Sequence, residues 1–257
     1  MSLRRALPVL IVALLAVPAT AGATASETAS ARESAAAASA SAASAATARI
    51  VPGRVIRTTR SWECRGLLRR YGRLPIKVIP TIRNPGDSDA IRLIGCIGDG
   101  NPRTVDLILD VRGNRRNLGT AYDAVRIGQN SRGLVVTGRA NCGRRHTNPS
   151  IHQDVVQALS GRNIIFRNFR SGRPGYRYWT CWGAGGGWYV TWANGGIPTN
   201  LVCDRCILGT YNQNLRIDES VRSGARNSVF GYHRSYGIFI GPRARQPVNR
   251  NNRVIRY

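Results

Sequence analysis

The feature that most constrains the fold is a two-strand unit that the chain restates, seen most clearly from Asp154 to Phe169, DVVQALSGRNIIFRNF. A short apolar run (Val155, Val156), a polar break at Ser160 and Gly161, and a second apolar run (Ile164, Ile165, Phe166) describe two strands joined by a tight bend. Neither strand buries enough surface to stay folded alone, so such units become stable only when neighbours above and below cover their faces. Aligned on the inward apolar residue of the first strand, the unit recurs at Ile91, Val125, Val156, Val190, Leu215 and Ile238, with spacings of 34, 31, 34, 25 and 23 residues. The second strands run from Val105 to Val111, Gly133 to Gly138, Asn163 to Phe169, Asn200 to Cys206, Asn227 to Tyr232 and Asn252 to Tyr257. Four of them open with Asn, the non-glycine residue that best tolerates a bend with positive φ. The uneven period argues against a rigid solenoid such as a leucine-rich repeat, and for one whose loops absorb insertions at one corner.

The segments YDAVRIG (122–128), IHQDVVQALSGRNIIFRNF (151–169) and LRIDESVRSGARNSVFGYHRSYGIFIGP (215–242) resemble right-handed parallel β-helix proteins, the superfamily that includes pectate lyases. The likeness covers about residues 89 to 257 and is sharpest from Asp123 onward. It implies an all-β, single-stranded right-handed parallel β-helix of about six rungs, with three parallel sheets and aliphatic ladders inside. A β-sandwich of short strands is the rival architecture. In size and basicity the chain is also similar to compact, disulfide-bearing pectate lyases, but it has no match to that family's motifs after Cys181.

Helix-compatible spacing of Trp62, Leu67, Leu68 and Tyr71, with Ser61 as cap and Gly72 as stop, predicts an N-terminal capping helix over the open end of the coil. Leu74 to Ile82, interrupted by Pro75 and Pro80, reads as an edge strand leading into the first rung. Before these, residues 1–23 carry Arg4 and Arg5, an apolar run from Ala6 to Val17 and small residues suited to cleavage, the pattern of a secretory signal peptide. Residues 24–48 are almost all Ala, Ser and Thr and read as a disordered linker, leaving 49–257 as one domain. No other run approaches membrane-spanning length, so a soluble, secreted, extracellular monomer is expected.

An exported chain with six cysteines (Cys64, Cys96, Cys142, Cys181, Cys203, Cys206) points to disulfides, with fifteen possible full connectivities. Proximity of rungs suggests Cys64 with Cys96, Cys142 with Cys181, and Cys203 with Cys206. Half a zinc or redox site at Cys203 and Cys206 is the alternative.

The chain contains 37 Arg and a single Lys, Lys77, and residues 49–257 carry 35 basic against 11 acidic side chains, a net of +24. A field of that size attracts polyanions. Outside a cell these are acidic polysaccharides and cell-wall polyanions such as teichoic acids. Nucleic acid is expected to bind only through net charge, with no specific recognition.

Strand alternation turns the residue after each aligned apolar one outward, which sets Arg92, Arg126, Gln157, Thr191, Arg216 and Phe239 in one strip. Guanidinium and amide groups so arrayed suit the carboxylates of a sugar polymer. Two long excursions, 141–153 and 170–187, precede successive units and are expected to wall a groove; the second brings Trp179, Trp182, Trp188 and Tyr189, whose rings could stack on sugars or pack under the loop. Two positions before the aligned residues stand Asp89, Asp123 and Asp154, a column of acids. Three roles are open to it: a calcium site (Asp123, Asp154), acid–base chemistry with His152 and Arg126, or capping of turns through hydrogen bonds. The expectation is a secreted protein that binds an acidic polysaccharide and cleaves it, if at all, by β-elimination from an Arg or His base. A non-catalytic wall-binding or structural module is the alternative.

Overall fold

Alternation of apolar and polar residues decides nearly every element, and the elements are strands. The structure is a computed structural model that describes residues 50–80, 89–111, 123–140, 154–171, 186–193, 195–209, 213–232 and 236–256. In chain order the strands are β1 (Arg54–Thr58), β2 (Trp62–Leu67), β3 (Ile76–Pro80), β4 (Ile91–Ile97), β5 (Leu107–Val111), β6 (Val125–Ile127), β7 (Arg132–Ala140), β8 (Val156–Ala158) and β9 (Arg162–Arg170). The second half adds β10 (Gly186–Val190), β11 (Thr199–Asp204), β12 (Ile207–Gly209), β13 (Gln213–Val221), β14 (Gly224–Arg226), β15 (Val229–Tyr232), β16 (Tyr236–Arg245), β17 (Val248–Arg250) and β18 (Arg253–Arg256). All belong to one 18-stranded parallel sheet.

Two long ladders carry most of the pairing. In the first, β2, β4, β6, β8, β10, β13 and β16 lie side by side, so that Trp62, Ile91, Val125, Val156, Trp188, Leu215 and Ile238 occupy one column. Every member except Ile238 is buried. The fourth place belongs to Trp188 and not to Val190, which stands two residues further along in the next inward column, beside Ala158 and Ile217. The second ladder runs through β1, β3, β5, β7, β9, β11, β14 and β17, and its column of Ile76, Leu107, Val136, Phe166, Cys203 and Ala225 faces the same core. At the meeting of the two, Phe166 sits edge-on to Trp188 and to Phe169, each with ring centroids 5.0 Å apart.

The six-rung, single-stranded right-handed β-helix with an N-terminal helix is corrected by this pairing. Eight strands, β4–β6–β8–β10–β13–β11–β9–β7, close a ring of parallel pairings, which makes the fold a closed parallel sheet. The ring is joined through Ile97 with Arg132 and through Thr199 with Val221, contacts across corners that a two-strand sequence register does not reveal. The expected helix is also absent. Trp62 and Cys64 point inward at a period of two and pair with Ile91 and Leu93, leaving only a 3-10 turn at Leu68–Tyr71. Four apolar residues at helical spacing lose here to the backbone hydrogen bonds that β4 offers, and Tyr71 packs edge-on to Trp62 at 5.4 Å. Nor does β3 form an edge, since it is paired on both sides, with β1 and β5.

Asn does serve the bends, but at two different corners. Asn163, Asn200 and Asn227 all have positive φ, and the fourth is Asn251 instead of Asn252. The Asn200 side chain donates to Asn163 Oδ1 at 2.9 Å, while Asn251 donates to Asn227 Oδ1 at 3.3 Å, so two separate Asn pairs mark two turns. Correspondingly β15, which opens just after Asn227, pairs with β12 and β18 and not with β11.

Among the described residues two disulfides are formed, Cys64–Cys96 with Cα atoms 5.3 Å apart and Cys203–Cys206 at 5.8 Å. In the second both sulfurs are bonded to each other and so do not offer a thiolate pair to zinc, and all four of these cysteines are buried. Cys142 and Cys181 lie outside the described residues, as do 1–49 with the signal peptide and linker. Among the described residues no helix is long and apolar enough to cross a membrane.

The inward columns should dominate stability. Truncating Phe166 to Ala is expected to cost about 3–5 kcal/mol through lost burial and a residual cavity. Ile165→Ala, on the outward, half-buried side of the same strand, should cost well under half as much, a contrast readable from denaturant midpoints.

Candidate functional site

The outward side of the first ladder carries the polar residues that alternation places between core positions. Register sets Glu63, Arg92, Arg126, Gln157, Tyr189, Arg216 and Phe239 in a row, each half-buried. Neighbours in such a row stand about 4.8 Å apart. Arg92, Arg126, Gln157 and Arg216 thus come together as the alternation predicts, but the place assigned to Thr191 is filled by Tyr189. The error has the same source as the Val190 misalignment, the two-residue offset in β10.

The aspartates lie beneath this row. Asp89, Asp123 and Asp154 are 3%, 3% and 0% exposed, so none of them faces a polymer laid over the strip. Each sits at the entry of a strand, and Asp123 and Asp154 each hold the next one. Asp123 Oδ1 accepts the Asp154 N–H at 2.8 Å, and Asp154 Oδ1 accepts the Gly186 N–H. The backbone repeats the link, since Ala90 donates to Asp123 O, Ala124 to Asp154 O and Val155 to Gly186 O, at 2.9 Å in each case. Turn capping is therefore the role the geometry assigns to Asp123 and Asp154, whereas Asp89 faces the arginines above it. Asp123 and Asp154, considered as calcium ligands, spend their Oδ1 oxygens on backbone donors, and among the described residues no group of three or more His, Cys, Asp or Glu side chains could hold a metal ion.

Capping leaves the other carboxylate oxygens to organise the strip. Asp89 Oδ2 lies 3.6 Å from an Arg126 terminal nitrogen and 3.8 Å from Arg92 Nε, and a terminal nitrogen of Arg92 also meets Glu63 Oε2 at 3.3 Å. Gln157 Nε2 donates to Asp154 Oδ2 at 3.3 Å. At the far end the Arg216 guanidinium lies over the rings of Tyr189 (4.9 Å) and Phe239 (5.7 Å) and donates from Nε to Asp218 Oδ2 at 2.9 Å. The heads of the row are held in place before any ligand arrives. A signal for this was present in the sequence: D-A-I-R at 89–92, D-A-V-R at 123–126 and D-V-V-Q at 154–157 repeat an acid three residues before the strip residue it underlies.

Beside Arg92 and Arg126 the surface dips into a depression of about 310 Å³, lined also by the apolar side chains of Ile94, Leu159 and Ala193 and by Gln129. The half-exposed Trp192 precedes Ala193. Sequence reasoning passed over Trp192 because it lies outside the Trp-rich excursion; its only sequence signal is an aromatic just past the end of an alternating strand. Trp188, from that excursion, is buried in the core. Trp179, Trp182 and His152 lie outside the described residues.

Burial in this column pushes all three aspartate pKa values up. For Asp89 desolvation is opposed by Arg126 and Arg92. For Asp123 it is reinforced by the charges of Asp154 and Asp89, which carries its pKa well above the ordinary carboxylate range. Asp154 rises to about 7 through burial, against the stabilising Gly186 N–H and Arg216.

No family model, curated protein or solved structure matches the chain. The resemblance to pectate lyases thus gains no matching family; an all-β chain built from parallel strands is what stands.

A carboxyl whose pKa is higher in the folded than in the unfolded chain binds more protons when folded, so its contribution to stability is full below the unfolded value and is lost as pH rises to the folded one. For Asp154 this window runs from 3.8 to about 7. The difference in melting temperature between the wild-type protein and Asp154→Asn should accordingly shift in favour of the variant as pH is raised from 4 to 8. A difference that stays constant across that range would show that Asp154 titrates normally.

Proposed function

We propose that this chain is an extracellular protein that binds acidic polysaccharides along the outward row of its first ladder, without cleaving them. The observation that carries the reading is the register itself: Arg92, Arg126, Gln157, Tyr189 and Arg216 follow one another on successive strands, with polar heads held by buried or flanking acids. Preorganised guanidinium groups lose little rotamer freedom on binding, and their planar forks match carboxylates. An aromatic ring and a partly apolar depression beside them suit the C–H faces of a sugar.

Binding without cleavage is favoured by where the two described candidate catalytic groups, Asp154 and Arg126, stand. Asp154 is fully buried and engaged with backbone N–H and Gln157, out of reach of a substrate proton. Arg126, the candidate base, is tied to Asp89. The export pattern of residues 1–23 and the disulfides fit an oxidising location outside the cell.

The test is retention in gels containing polygalacturonate at moderate salt. Arg92→Gln combined with Arg126→Gln should weaken retention about tenfold or more, because two charge-assisted contacts are lost. Tyr189→Ala should weaken it by a smaller factor, and neither calcium nor prolonged incubation should yield unsaturated products. Wild-type retention equal to that of the double variant would remove the reading, and appearance of unsaturated sugar would replace binding with lyase activity.

A further inference from the structure

The row just described is electrically compensated: Arg92, Arg126 and Arg216 are matched by Glu63, Asp89 and Asp218. The chain's surplus of positive charge must lie elsewhere, and part of it is concentrated at one corner. Arg132, the first residue of β7, and Arg162, the first residue of β9, are register partners, both exposed. Among the described residues neither has an ion-pair partner. Like charges set directly side by side on neighbouring strands destabilise the sheet unless something of opposite charge is shared between them.

Between these two side chains the surface encloses a depression of about 260 Å³, and among the described residues no carboxylate lines it. Its walls are fixed from within. The Arg162 N–H donates to Ser131 O at 2.9 Å, Ser160 Oγ donates to Gly195 O at 3.1 Å, and Ser131 Oγ donates to Leu93 O at 2.8 Å. Two glycines complete the rim. Gly195 is pressed against Gln129, where a Cβ would stand 2.2 Å from Cγ, and Gly196, with φ +104°, has nothing within 4 Å of the position a Cβ would take. Backbone with no side chain over it, beside two unopposed guanidinium groups, admits a ligand that approaches closely.

From this geometry we infer a second ligand site, in which Arg132 and Arg162 jointly grip a tetrahedral oxyanion, the phosphodiester or sulfate-ester group of a polymer. A planar carboxylate fills one guanidinium fork with its two oxygens. A phosphate or sulfate group projects oxygens in several directions and can satisfy two forks that converge from adjacent strands. The site stands apart from the Arg92–Arg126 depression, separated from it by the contact of Gln129 with Gly195, and does not require the acidic-polysaccharide reading.

The experiment compares the full chain, Arg132→Gln with Arg162→Gln, and Arg132→Lys with Arg162→Lys, in gels holding a glycerol-phosphate polymer, dextran sulfate or polygalacturonate at equal ionic strength. The Gln variant should lose about tenfold or more in retention on at least one of the two tetrahedral polymers while holding its retention on polygalacturonate. Inorganic phosphate should compete for the wild type and not for that variant. The Lys variant, which keeps charge but loses the fork, should fall between the two. Loss on the phosphate polymer alone identifies a phosphodiester ligand, and loss on dextran sulfate alone a sulfate ester. Equal retention of all three proteins on both tetrahedral polymers overturns the site, as does a parallel loss on all three polymers, which would be a mere reduction of net charge. Failure of the wild type on polygalacturonate alone would sink the acidic-polysaccharide reading and leave this site standing.

Discussion

A buried carboxylate at the mouth of one strand, accepting the backbone N–H that opens the next, is the interaction on which the face carrying the site depends. Asp123 does this for Asp154, and Asp154 for Gly186. Asp106, just before β5, is a related case at another corner, taking the Val135 N–H within β7 at 2.8 Å and the Asp99 N–H at 2.9 Å. A parallel ladder has no hairpin turn to set its register, so something else must prevent a slip, and a one-residue slip would send every core side chain to solvent. A directional bond at each strand entry does so. It also explains why charged groups are tolerated at positions 0–3% exposed: an unmade backbone hydrogen bond there would cost more than the strained ionisation of a carboxyl that can take up a proton.

The same acids couple fold to surface. Placed three residues before a residue of the outward row, Asp89 reaches up to Arg92 and Arg126 with Oδ2, and Asp154 reaches Gln157 with the oxygen not spent on the backbone. At Asp154 one side chain both sets strand register and orients a head of the row. The consequence for charge is that the row, though rich in arginine, is close to neutral, and the surplus lies on exposed arginines elsewhere such as Arg132, Arg162, Arg222, Arg245 and Arg250. Under the proposed polyanion binding, the exposed arginines would raise encounter rate and the compensated ones would supply geometry.

Serine extends the corner chemistry. Ser131, Ser223 and Ser228 are buried, and each hydroxyl accepts a backbone N–H from a neighbouring strand, from Cys96, Leu201 and Cys206 respectively. A hydroxyl that donates and accepts at once resolves two backbone groups at a corner where the ladder itself cannot reach them. The described part of the chain therefore turns its corners with short polar side chains and leaves the large apolar ones to the flat stretches.

Strand identity, inward and outward parity, the Asp column and most of the arginine row were readable from residues alone, because alternation has a period of two and each unit repeats it. Disulfides between Cys64 and Cys96 and between Cys203 and Cys206 were readable as proximity. What the linear pattern could not convey was how units are joined. Whether Trp188 or Val190 continues the column, whether Asn227 marks the same corner as Asn163, whether Trp62 to Tyr71 coils or extends, and whether the ladders close into a ring were decided by neighbours in space. The physical reason is that side-chain parity is a local property of the backbone, whereas parallel pairing joins residues two to four dozen apart, through hydrogen bonds that any sequence can make and that only the packed whole selects.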